Sequence, residues 1–227
     1  TVLQVSPDGT TTEVVARGFR APFGLTRLPD GSLLGSDQEG HWTPANRINL
    51  IRPSASNPPF LGNGYAALED LGERIPRGGE LVQPPWELDS TIVPPITWMH
   101  PTVDRSPSSQ VFVDHPAWGP LQGSILGLSY GTGEVYLILR DDVPTADGST
   151  VTQGGVVKLG IQLPTGLLTG RIHPTTGDLY VCGLFGWSSD RTEPGGFYRI
   201  RPNTEQWADT LNVPHQMRAV SDGLELT

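Results

Sequence analysis

The chain has 227 residues, a formal net charge of −9, and 28 glycines and 22 prolines. Both residue types weaken helix interiors, so the composition excludes a helix bundle or coiled coil and points to short strands joined by turns. The acidic balance disfavours nucleic acid as the main partner, no 18-residue apolar run offers a membrane span, and a lone Cys182 rules out an internal disulfide or a cysteine-based metal cage.

In chain order, Val2, Leu3 and Val5 start a strand that turns at Pro7-Asp8-Gly9 and returns over residues 11–16. Proline presets φ and glycine accepts positive φ, which gives that tripeptide a turn mechanism. The first residues lack the charged-then-apolar layout of a signal peptide, as a mature secreted chain also would. Strands are expected at 23–28 and 32–36 about Pro29-Asp30-Gly31, and at 47–52 before Pro53. Residues 54–101 read as a long proline-rich loop, with a short helix at 65–73 and Trp86 and Trp98 as docking points. A looser unit follows at 123–128, 134–139 and 154–159. The opening grammar then returns: strands at 168–172 and 178–183 about Pro174-Thr175-Thr176-Gly177, a polar loop, and a strand at 196–201 ending in Arg201-Pro202 as the first unit ended in Arg52-Pro53. Residues 223–227 read as a further strand.

Three units of three or four strands recurring along one chain are the pattern of propeller blades. Two facing sheets of a sandwich would give strands but no reason for the recurrence. The expected fold is all-β, a β-propeller of six blades of which this chain supplies about three. Closure around a channel needs roughly four to eight blades, so the remaining blades are expected on the same or another polypeptide. Residues 1–203 are expected to form the partial propeller and 204–227 an extension leading out of it.

Several local patterns suggest chemistry. Gly127-Leu128-Ser129-Tyr130-Gly131 fits a hydrolase nucleophile elbow, but that device needs a helix behind the serine, and a β run follows. Gly62-Asn63-Gly64 mimics a dinucleotide fingerprint, yet Pro58-Pro59 stands where a strand is required. Asp37, Glu39 and Gly40, with His41, make a compact loop able to offer oxygens to calcium, or simply an exposed polar loop. His41, His100, His115, His173 and His215 lack the short spacing of a zinc site. Arg20 sits at a strand-to-loop junction, where it serves either a channel-mouth site or a structural salt bridge. The loop tryptophans Trp42, Trp98, Trp118 and Trp187 suit anchoring or sugar stacking, and Cys182 reads as inert core.

Gly18-Phe19-Arg20-Ala21-Pro22-Phe23-Gly24-Leu25, Pro29-Asp30-Gly31, Ile48-Asn49-Leu50-Ile51, Ser106-Pro107-Ser108-Ser109, Gly170-Arg171-Ile172 and Asp178-Leu179-Tyr180-Val181 together resemble the pyrroloquinoline-quinone (PQQ) dependent sugar dehydrogenases, which are six-bladed propellers. The resemblance covers about residues 1–203 and matches the C-terminal half of that fold. It is similar in its finer pattern to propellers of large secreted bacterial proteins that carry cytochrome c modules. The resemblance implies PQQ and calcium as cofactors and a sugar as substrate. It further implies a periplasmic or extracellular location, and a cytochrome c module or other protein as partner. By the same resemblance Arg20 is the catalytic arginine beside the quinone, Arg171 binds a carboxylate of it, His173 stands where a second arginine is expected, and Ser129 marks the place of a lysine. The calcium loop aligns with Asp37, Glu39 and Gly40, and Asn46 replaces an acidic residue. The base histidine falls outside this sequence. The alternative is a non-catalytic propeller serving as a scaffold or docking subunit.

Overall fold

The computed structural model describes residues 1–40, 43, 45–53, 57–63, 92–187, 190–203 and 213–227. The helix expected at 65–73, His41, Trp42, Trp86 and much of the proline-rich stretch lie outside the described residues.

Strands β1 (Val2–Val5) and β2 (Thr12–Ala16) form an antiparallel hairpin. Its turn works as its sequence dictates: Gly9 has φ 73°, and Asp8 Oδ1 accepts from Ser6 Oγ at 2.6 Å and from Thr10 N–H at 3.2 Å. Three antiparallel meanders follow. The first is β3 (Phe23–Arg27), β4 (Leu33–Asp37), β5 (Asn46–Ile51) and β6 (Thr97–Met99). The second is β7 (Pro107–Phe112), β8 (Ile125–Ser129), β9 (Glu134–Pro144) and β10 (Thr150–Gln162), with a short 3-10 turn at Pro116–Leu121 between β7 and β8. The third is β11 (Gly166–Ile172), β12 (Leu179–Leu184) and β13 (Gly195–Ile200), and a hairpin of β14 (Met217–Val220) and β15 (Gly223–Leu226) ends the chain. This is an all-β propeller arrangement of about three blades. Three strands escaped the sequence pattern, β14 among them. β6 lies inside the proline-rich stretch, and β7 reads Pro-Ser-Ser-Gln-Val-Phe, too polar for an apolar alternation to reveal.

The apolar residues fill the spaces between neighbouring sheets. Leu34, Ile48, Leu50 and Met99 of the first blade meet Ile125, Tyr136 and Ile138 of the second. From the other face of the second blade, Val111, Leu126, Leu128 and Leu137 meet Leu167, Leu179 and Val181 of the third. Because β4 and β5 are covered on both faces, their residues are buried almost throughout.

The first strand of each blade lies beside the next, β3 against β7 and β7 against β11. Small and hydroxylated residues permit that approach. Ser36 Oγ lies 2.8 Å from Ser108 O, Ser108 Oγ lies 2.6 Å from Leu167 O, and Thr26 Oγ1 donates to Gln110 O at 2.6 Å. Gly24 (φ 69°) sits so close to β7 that a β-carbon there would stand 2.5 Å from Ser109 Cα. The polar composition that hid β7 is therefore what lets three sheets converge on one axis.

Candidate functional site

The inner strands run in one direction around the axis, and this sorts the candidate residues into two ends. Phe23 and Ser106, at the starts of β3 and β7, line one cavity together with Arg20. Arg27, Phe112 and Arg171, at or beside the far ends of β3, β7 and β11, line another.

At the first end, Asp37 closes β4 with a fully buried side chain. Its carboxylate accepts from the backbone N–H groups of Arg20 (3.1 Å to each oxygen), Ala21 (2.8 Å) and Gln38 (3.1 Å). Arg47 of β5, buried as completely, places Nη2 2.6 Å and Nε 3.2 Å from Asp37 Oδ2. The same guanidinium donates to the carbonyls of Leu61 and Gly18, and its Cζ lies 5.7 Å from the centre of the Trp98 ring. Burying an ion pair is repaid only where further hydrogen bonds complete both partners, and here they do. The pair fixes residues 18–22 and so aims Arg20.

Arg20 is exposed, and its side chain crosses Gly40. A β-carbon on Gly40 would come 2.5 Å from Arg20 Nε, so glycine is needed to let the guanidinium lie over the chain. Among the described residues no carboxylate stands within ion-pair distance of Arg20. The structural salt bridge that competed with a site role is therefore not formed among the described residues. Arg20 instead lines a cavity of about 680 Å³ with Gln38, Glu39, Arg105, Tyr130 and Trp187. That volume falls within the roughly 300–1,000 Å³ of small-molecule sites.

Hydrogen bonds hold the walls. Asn46, at the position where the resemblance expects an acid, accepts from Glu39 N–H at 2.8 Å and donates to Asp104 O at 2.7 Å. Only an amide can do both, since an ionised carboxylate has no proton to give. Gln38 Nε2 donates to Ser106 Oγ at 3.0 Å. Asp104 is buried and accepts from Ser129 Oγ at 2.6 Å and Ser106 N–H at 3.0 Å, both through Oδ1. Among the described residues its Oδ2 has no hydrogen-bond partner, and the Tyr136 hydroxyl beside it does not meet hydrogen-bond geometry. Burial, opposed by the Ser129, Ser106 and Tyr136 dipoles, pushes the Asp104 carboxyl up to about 6. Burial likewise holds the Tyr136 phenol well above its ordinary range.

Several sequence expectations are corrected by this geometry. Asp37 does not fit a calcium ligand: its oxygens already face a guanidinium and three N–H groups, and among the described residues no group of three metal-ligating side chains comes together. Glu39 and Gly40 stand at the cavity, Gly40 as the seat for Arg20. Ser129 closes β8 with its hydroxyl bonded to Asp104, and β9 follows it in place of a helix, so neither an elbow nor a cofactor contact is built there. Arg171 and His173 lie at the opposite end of the inner strands from Arg20. His173 serves its own turn, its Nδ1 accepting from Thr175 and Thr176 N–H at 3.2 Å each. The resemblance puts Arg20 beside the quinone and Arg171 and His173 at its carboxylates, yet these residues are divided between two ends. They do not fit one bound quinone. Of the tryptophans, Trp118 is an anchor, its Nε1–H donating to Gly177 O at 2.8 Å, whereas Trp187 is 59% exposed on the cavity wall.

Sequence reasoning missed Arg47, Asp104 and Arg105. An available signal was a charged residue inside an otherwise buried strand, Arg47 in Asn-Arg-Ile-Asn-Leu-Ile, which implies a buried partner. For Asp104 no periodic signal exists, because it lies in a loop.

The blades and their converging inner strands define a β-propeller fold, one shared with solved sugar dehydrogenases. An oxidoreductase described as a glucose dehydrogenase from Thermus thermophilus has the same fold, with a TM-score of 0.50 and 16% identity over 86% of this chain and 49% of its own. The soluble aldose sugar dehydrogenase from Escherichia coli, in its apo form, matches with a TM-score of 0.49 and 16% identity over 82% of this chain and 46% of that one. The PQQ-bound aldose sugar dehydrogenase from Streptomyces coelicolor matches with a TM-score of 0.46 and 16% identity over 80% and 45%. The chain therefore spans about half the length of the structures it matches. No family model matches the sequence, and no curated protein matches it significantly. No helix among the described residues is long and apolar enough to cross a membrane.

Proposed function

We propose that this propeller binds a sugar at the channel-mouth cavity beside Arg20. The observation that carries the reading is the lining itself: two ring systems, Tyr130 and exposed Trp187, stand in one cavity with Glu39, Gln38 and Arg20. A pyranose offers an apolar C–H face that packs on an aromatic ring and a rim of hydroxyls that pair with carboxylate, amide and guanidinium. The resemblance to sugar dehydrogenases supports the same ligand class, and a periplasmic or extracellular location with it. Further blades, on this or another polypeptide, would cover the exposed apolar residues of the outer sheets, Leu3 and Val5 at one side and Phe197 stacked 5.6 Å from Tyr180 at the other.

A second reading, sugar oxidation by a quinone at the same mouth, is favoured by one observation: two guanidiniums, Arg20 and Arg105, line that cavity. No step is assigned to it, because the cation set expected for the quinone is not assembled there. One experiment separates the readings. The chain is titrated with a panel of mono- and disaccharides by calorimetry, then with PQQ by absorbance and dye-linked sugar oxidation. Saturable sugar binding lost in Trp187→Ala and Glu39→Gln supports the first reading. Sugar binding by none of the panel overturns it, and quinone-dependent oxidation lost in Arg20→Ala establishes the second.

A further inference from the structure

The far end of the inner strands holds a second cavity, of about 260 Å³, into which β3, β7 and β11 all contribute. We propose that it is an anion site in which Arg27 and Arg171 hold a small dicarboxylate. On β3 exposure alternates, with Phe23, Leu25 and Arg27 on the open face. On β11 the exposed positions are Thr169 and Arg171. Two strands separated by β7 thus carry a guanidinium to the same level at the same end. This chain has 24 acidic residues against 15 lysines and arginines, so a counter-charge would be easy to supply. Asp114 lines the cavity, yet among the described residues neither arginine has an ion pair, and Arg171 Nη1 donates to its neighbour's carbonyl, Gly170 O, at 2.7 Å. Beneath them Gln110 is fully buried, with its amide nitrogen donating to Ser108 O at 2.6 Å.

Guanidinium is planar and presents paired N–H groups that match a carboxylate in a two-point contact. One carboxylate can engage one such fork. Arginines on strands that flank a third call for a ligand with an anionic group for each, hence a dicarboxylate over a monovalent anion. The site is independent of the sugar reading, because it uses neither Arg20 nor its cavity.

The test is calorimetric titration of the full chain with succinate at low salt, with acetate and inorganic phosphate as comparisons. Saturable succinate binding is expected, at least tenfold tighter than acetate. Arg27→Ala and Arg171→Ala should each weaken it at least tenfold, Asp114→Asn should tighten it, and Arg218→Ala, which removes a charge elsewhere, should leave it within twofold. Both cavity arginines are exposed, so urea midpoints of the variants should match the parent chain and show that any loss is not unfolding. No saturable succinate binding, binding indifferent to both arginines, or phosphate binding tighter than succinate each overturns the proposal.

Discussion

Replacing Asp104 by asparagine should make the protein more stable above neutral pH, and the size of the gain follows from the site. The carboxyl is 1% exposed, and burial raises it from 3.8 to about 6. Between those values the unfolded chain has lost the proton while the folded chain keeps it, so stability falls as pH rises through this window and levels off above about 6. Each pH unit is worth about 1.4 kcal/mol, and the whole interval therefore amounts to about 3 kcal/mol. Asparagine keeps the Oδ1 acceptor for Ser129 and Ser106 and puts an uncharged NH₂ donor beside the Tyr136 oxygen, in place of the unpartnered Oδ2. The assay is urea denaturation followed by tryptophan fluorescence at pH 4, 5, 6, 7 and 8, read as variant minus parent so that other titrating groups cancel. The difference should grow by about 2–2.5 kcal/mol from pH 4 to pH 8, the remainder of the interval lying below pH 4. A difference that is flat across the series, or one that shrinks as pH rises, refutes the reasoning.

Three further outcomes are expected. Arg47→Met leaves Asp37 buried without its cation and should cost about 3–5 kcal/mol in urea denaturation. Gly24→Ala forces a β-carbon at positive φ against the β7 backbone, 2.5 Å from Ser109 Cα, and should cost about 2 kcal/mol or more. Gly40→Ala meets only the flexible Arg20 side chain. Its denaturation midpoint should therefore stay near the parent's, while sugar affinity at the mouth falls about tenfold, the worth of one hydrogen bond from a charged donor.

Turns and blades were legible because their causes are local. Pro7-Asp8-Gly9 and Pro29-Asp30-Gly31 carry their own φ preferences and an aspartate that accepts from the residues just after it, as Asp30 does from Ser32 N–H at 2.9 Å. Apolar strands such as 47–52 and 178–183 announce burial through their composition. The site was only partly legible. The sequence shows Arg20 at a strand-to-loop junction, but the partners that aim it come from Asp37, 17 positions away, and through it from Arg47.

What the sequence by itself determined is the class of architecture: a run of short antiparallel strands in repeating units, too rich in glycine and proline for helices. Which residues share a site was decided by the tertiary structure alone. Because the inner strands run in one direction, a residue at the start of β3 and one at the end of β11 belong to opposite mouths, however well both match one ligand's charge. The same packing turned Asp37 from a ligand for a cation outside the protein into the partner of one within it, since a buried carboxylate must be matched by the nearest cation and N–H groups that the fold brings to it.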